Sequence, residues 1–111
     1  MEYRKFGNTG LEVSYIGLGG GPFGSLYGDI TESDVVKTVF TAVDNGINFF
    51  DTAPSYGDTL SESRLGAALK QIPRDQFILS TKTGKYKSDE FGYTYDRILR
   101  EVQLSMKRLN V

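Results

Sequence analysis

The chain has 111 residues, 39% of them hydrophobic, with 13 basic and 14 acidic side chains and a formal charge of −1. This bounds it to one domain with a modest core, and the even spread of charge excludes a nucleic-acid patch or a polybasic membrane anchor. Cysteine and histidine are both absent, so a disulfide framework and a thiolate nucleophile are excluded, no metal site is expected, and any chemistry rests on Asp, Glu, Lys and Tyr.

The chain opens with Met1-Glu2-Tyr3-Arg4-Lys5, which lacks the apolar core of a signal peptide. No later apolar run approaches the length of a membrane span. A cytoplasmic location is the resulting expectation. Tyr3 to Phe6 and Leu11 to Val13 flank Gly7-Asn8-Thr9-Gly10 and read as a small hairpin. Ser14 to Gly19 is a short buried-strand candidate that runs into the loop Gly20-Gly21-Pro22-Phe23-Gly24. In such a loop a backbone can approach a ligand closely.

Thr31 to Asn45 is the first predicted helix. Thr31 with Asp34 makes a capping-box-like start, and Gly46 is placed as the C′ residue. Val35, Val36, Val39, Phe40 and Val43 fall on one face. Ile47 to Phe50 is the second strand. A helix opening at Leu60 or Ser61 follows, with Leu65, Ala68, Leu69 and Ile72 as its apolar stripe and Pro73 ending it. Phe77 to Thr81 is the third strand and Thr83 to Tyr93 a polar loop. Thr94 caps a third helix, in which Ile98, Leu99, Val102, Met106 and Leu109 are expected to face inward.

Ile16, Phe49 and Leu79 take equivalent places in the three strands, with spacings near the roughly thirty residues of a βα unit. The pattern is hairpin, then β-α-β-α-β-α, an α/β class with a parallel sheet covered by helices.

Asp51, Tyr56 and Lys82 form the central constellation. They lie at or just past the carboxyl ends of two successive strands, the end at which α/β proteins bind ligands. A free tyrosine titrates near pH ~10. A nearby ammonium stabilises its phenolate, and a carboxylate holds the ammonium in place. Such a phenol can give or take a proton at a carbonyl or alcohol oxygen. The plain alternative is a structural Asp–Lys pair with a packing tyrosine. Placement at consecutive strand ends favours the functional reading.

Gly19, Gly21 and Gly24 match the spacing Gly-x-Gly-x-x-Gly, but Pro22 and Phe23 lie inside it and no helix clearly starts there. The phosphate-binding fingerprint therefore fails its context, and a flexible connection is the better reading. Lys85-Tyr86-Lys87 reads as a solvated loop face, with a substrate-side loop as the alternative. Tyr27, Phe91 and Tyr93 are candidates for a pocket wall.

Several segments resemble the signature of the aldo-keto reductase family. They are Gly46 to Gly57, Ser61-Glu62 with Leu65-Gly66 and Leu69, Ser80-Thr81-Lys82, and Gly7 to Ser14 with Gly17-Leu18-Gly19. Gly21 to Ser25 and Thr59 to Glu62 look most like the L-galactose dehydrogenase and related aldose dehydrogenase branch. The resemblance implies that residues 1–111 are a partial domain: a hairpin plus about three β-α units of a (β/α)8 TIM barrel, truncated before the fourth strand. It implies hydride transfer between NADP or NAD and a small-molecule carbonyl or sugar hydroxyl. In the family's scheme Tyr56 would be the proton donor or acceptor, Lys82 would lower its pKa, and Asp51 would pair with Lys82 near the cofactor ribose. The backbone at Gly20 and Gly21 would touch the nicotinamide ribose or carboxamide.

The family's fourth catalytic residue is a histidine at the fourth strand, and no histidine is present. Standalone catalysis is therefore uncertain on this reading. The alternatives are a catalytically inactive or partner-binding half-barrel and an unrelated open α/β sheet, for which there is no positive sign. A half-barrel is expected to self-associate through its open sheet edges.

Overall fold

The computed structural model describes residues 1–111. Strands β1 (Tyr3–Lys5) and β2 (Glu12–Ser14) pair antiparallel, Tyr3 opposite Ser14. Three parallel strands follow, β3 (Leu18–Gly19), β4 (Phe49–Asp51) and β5 (Ile78–Ser80), in the order β3-β4-β5. Each is followed by a helix: α1 (Glu32–Asp44), α2 (Leu60–Leu69) and α3 (Tyr95–Leu109). An antiparallel pair, β6 (Lys85–Lys87) with β7 (Glu90–Phe91), sits between β5 and α3. This is a hairpin followed by three β-α units whose strands form one parallel sheet.

Local chemistry accounts for most of these elements. The Thr31 hydroxyl accepts the Asp34 N–H while Asp34 accepts the Thr31 N–H, a reciprocal cap that starts α1. Gly46, at φ +83°, closes it through a bond to the Val43 carbonyl. Thr94 caps α3 by accepting the Arg97 N–H. The core lies between the sheet and the helices. Phe50 of β4 meets Phe77 edge-on, and Val35, Val39, Leu65, Ala68, Leu69 and Ile72 close over them. On the other face, Asn48 fastens the hairpin to β4 by accepting from the Ser14 N–H and donating to the Glu12 carbonyl.

Four expectations need correction. The strand register pairs Leu18, Phe50 and Leu79, not Ile16, Phe49 and Leu79. Ser14 ends the hairpin instead of opening β3, and Tyr15-Ile16 form an exposed bend between the two. Thr83 to Tyr93 is not simply a loop, because β6 and β7 lie within it, and Tyr86 is buried with its hydroxyl donating to the Gly92 carbonyl. Finally, α3 is turned relative to its apolar stripe. Leu109 is buried and Ile98 half-buried as expected, but Leu99, Val102 and Met106 are 47%, 41% and 47% exposed, and Glu101 and Ser105 are buried in their place. The reason is the contact with α2. Where a Cβ would stand on Gly66, the Leu109 Cα lies only 2.7 Å away. The helices meet almost backbone to backbone, which selects the small and polar side of α3.

Candidate active site

The carboxyl ends of β3, β4 and β5 converge on Asp51, the last residue of β4. Register sets Gly19 on one side of it and Ser80 on the other. Strand alternation then turns Phe50 to the helix layer and Asp51 to the inner face of the sheet. Ser80 Oγ donates to Asp51 Oδ1 at 3.1 Å, and Lys82 Nζ donates to Oδ2 at 2.6 Å. Lys82 also donates to the Thr52 carbonyl at 2.9 Å. Both oxygens of the carboxylate are thus held, and the ammonium is fixed at two points.

Tyr56 enters from the loop after β4. Lys82 Nζ lies 5.0 Å from the centroid of its ring. The loop is held there by an unusual close approach: a Cβ built on Gly24 would stand 2.5 Å from the Tyr56 carbonyl carbon. After Tyr56 the backbone is left-handed for three successive residues, with φ of +63° at Gly57, +48° at Asp58 and +77° at Thr59. Left-handed backbone at a β-branched threonine is strained and needs its surroundings to hold it. Thr59 N–H bonds the Pro54 carbonyl, and Asp58 accepts from the Ser88 N–H at the tip of β6–β7.

Burial pulls the Lys82 pKa down, but the contacts with Asp51 and then Tyr56 outweigh it and hold the ammonium above its ordinary 10.5. Lys82 is therefore a fixed positive charge facing a phenol throughout the neutral range.

The structure brings Asp51, Tyr56 and Lys82 together. Gly20 and Gly21 lie beside them, but differ in what they offer. The Gly20 N–H is spent on the Asp51 carbonyl at 2.7 Å, and its own carbonyl accepts from Phe23 N–H and from Ser61 Oγ. Both backbone groups of Gly20 are thus already paired, whereas Gly21 begins a 3₁₀ turn (Gly21–Gly24) that is half-exposed at its start. Gly19 has nothing within 4 Å of where a Cβ would stand. The sheet end beside Asp51 is thus open on the side of Gly19. Tyr27, Phe91 and Tyr93 are all strongly exposed and line no pocket with the cluster.

Sequence reasoning assigned no role to Ser80 and Thr52, which grip Asp51 and Lys82, nor to Ser61, which bonds Thr52 and Gly20. The signal for Ser80 was its spacing two residues before Lys82, which places both on one face of the strand.

A model of the aldo/keto reductase family matches residues 15–111. The chain belongs to the aldo/keto reductase family. It is 47% identical to L-galactose dehydrogenase of Arabidopsis thaliana over 113 residues, which cover 100% of this chain and 35% of that protein. It is 41% identical to an aldo-keto reductase of Bacillus subtilis, covering 98% of this chain and 34% of that one. Among solved structures it superposes on an aldo-keto reductase from Bacillus halodurans in its holo form with a TM-score of 0.82 and 29% identity, over 100% of this chain and 37% of that one. The glycerol dehydrogenase of Gluconobacter oxydans gives a TM-score of 0.79 at 30% identity, over 98% of this chain and 36% of that one. The chain thus spans about a third of the length of the curated relatives it matches.

Proposed function

We propose that Asp51, Tyr56 and Lys82 form the proton-transfer end of a nicotinamide-dependent oxidoreductase centre acting on a carbonyl or a sugar hydroxyl. The observation that carries this reading is the placement of Lys82 Nζ, bonded to Asp51 at 2.6 Å and 5.0 Å from the Tyr56 ring centroid. Tyr56 delivers or receives the proton at the substrate oxygen. Lys82 stabilises negative charge as it develops on the phenol, and Asp51 with Ser80 keeps Lys82 from swinging away. The cofactor, NADP or NAD, supplies the hydride. It would lie along the open end of β3, near Gly19, Gly21 and Asp51. Similarity to the L-galactose dehydrogenase of Arabidopsis thaliana favours a sugar hydroxyl as substrate. The test is aldehyde reduction with NADPH and NADH and sugar oxidation with the oxidised cofactors. Turnover that disappears in Tyr56→Phe and Lys82→Met supports the assignment; turnover that survives both sinks it.

A second reading is a non-catalytic half-barrel that binds a complementary chain. It is favoured by the exposed stripe Leu99, Val102 and Met106 on α3 and by the unpaired outer edges of β3 and β5. Absence of turnover together with a stable complex would select it.

A further inference from the structure

The strand β5 ends at Ser80, and the next two side chains go to different partners. Ser80 and Lys82 both bond Asp51, whereas the exposed Thr81 between them reaches α2 with its hydroxyl. On the helix side Thr81 Oγ1 donates to Glu62 Oε1 at 2.7 Å. Glu62 lies in the first turn of α2 and is fully buried. Its other oxygen, Oε2, accepts from Arg108 Nε of α3 at 2.6 Å, and Arg108 also donates to Ser105 Oγ. Gly66, one helical turn beyond Glu62, lets the α3 backbone come close enough for Arg108 to reach it. Removing a carboxylate from water is unfavourable, and an apolar side chain of similar volume often serves stability as well or better. Here the buried carboxylate divides its two oxygens between a helix and the residue that precedes the central lysine.

We infer that Glu62 is a positioning residue for Lys82. It grips Thr81 from the helix side while Asp51 grips Ser80 and Lys82 from the inner side, so the strand end is clamped on both faces. Arg108 holds Glu62 in turn, which ties the packing of α3 to the geometry of the cluster. The role rests on the functional reading above, in which Lys82 acts on Tyr56. The ionisable groups that face Lys82 are Asp51 on β4 and Tyr56 on the following loop. Glu62 acts on Lys82 only through Thr81.

The test reads Lys82 directly and needs no turnover. The whole chain is acylated with a small amine-reactive reagent across a pH series, and modification of Lys82 is followed by mass spectrometry, with Lys37 and Lys70 as internal references. Circular dichroism at each pH verifies that the fold persists. Thr81→Val removes only the hydroxyl and is expected to lower the midpoint of Lys82 modification by about half a pH unit or more. Thr81→Ser is expected to restore it. Glu62→Gln should move the midpoint in the same direction as Thr81→Val, and Asp51→Asn further still. Midpoints in Thr81→Val and Glu62→Gln that coincide with the parent's would overturn the role of Glu62. Cofactor turnover is measured in parallel. A parent chain without turnover, yet with the Lys82 shifts present, would defeat the functional reading while supporting the clamp.

Discussion

Gly24 and Gly57 cross backbone to backbone: a Cβ built on Gly57 would stand 2.6 Å from the Gly24 Cα. No flexible side chain is available to yield, and Gly57 also sits at φ +63°. Gly57→Ala is therefore expected to lower stability by about 3 kcal/mol, the upper end of the overpacking range, and to displace Tyr56. Urea unfolding measures the first effect and carbonyl reduction the second. A Gly57→Ala chain with unaltered stability would show that the crossing is looser than described.

Lys82 has a folded pKa above its ordinary 10.5, so it contributes stability that is fully present below that value and is lost as pH rises through the folded pKa. Its side chain is 46% exposed and that of Asp51 37%, so solvent screening keeps the pair to at most about 1 kcal/mol. The difference in unfolding free energy between the parent and Asp51→Asn should be positive at about pH 9 and shrink toward zero in strongly alkaline solution. A difference independent of pH would mean that the ion pair contributes nothing.

The core is small, and its centre lies where α1 and α2 meet the sheet. Leu65 is fully buried in it. Leu65→Ala should lower stability by about 2–5 kcal/mol through lost transfer energy and the cavity left behind. In a chain of this length that is a large share of the total, so the melting transition should shift strongly or vanish. A melting temperature within a degree or two of the parent's would place Leu65 outside the cooperative core.

The outer edges of β3 and β5 carry unpaired backbone groups, and α3 exposes Leu99, Val102 and Met106. Self-association is the expected outcome. Light scattering across a concentration series should show mass rising with concentration, and Val102→Gln with Met106→Gln should reduce it. A monodisperse monomer at every concentration would contradict this.

What could be read from the sequence was set locally. The cap at Thr31 and Asp34, the stop at Gly46, the helical stripe of Leu65, Ala68 and Leu69 (Ile72 is buried too, but beyond the helix end at Leu69), and the Asp51, Tyr56 and Lys82 constellation each depend on residues a few positions apart or on one end of a strand. What escaped depended on tertiary partners. The inward side of α3 is chosen by Gly66 and by the Arg108–Glu62 pair, so the hydrophobic period of α3 pointed to the wrong side. The β6–β7 pair is short and polar, and only the burial of Tyr86 beneath Arg97 gives it an inner face. The left-handed turn at Asp58 and Thr59 is imposed by its bonds to Ser88 and Pro54, against the preference of a β-branched residue.

The central claim is that Tyr56 moves the proton while the rest of the site binds. Its most direct test compares Tyr56→Phe with the parent in two measurements on the same samples: nucleotide fluorescence titration with NADPH and NADH, and turnover of an aldehyde. Nucleotide affinity should be nearly unchanged and turnover lower by about a hundredfold or more, the scale of general acid catalysis. Turnover in Tyr56→Phe equal to the parent's would contradict it.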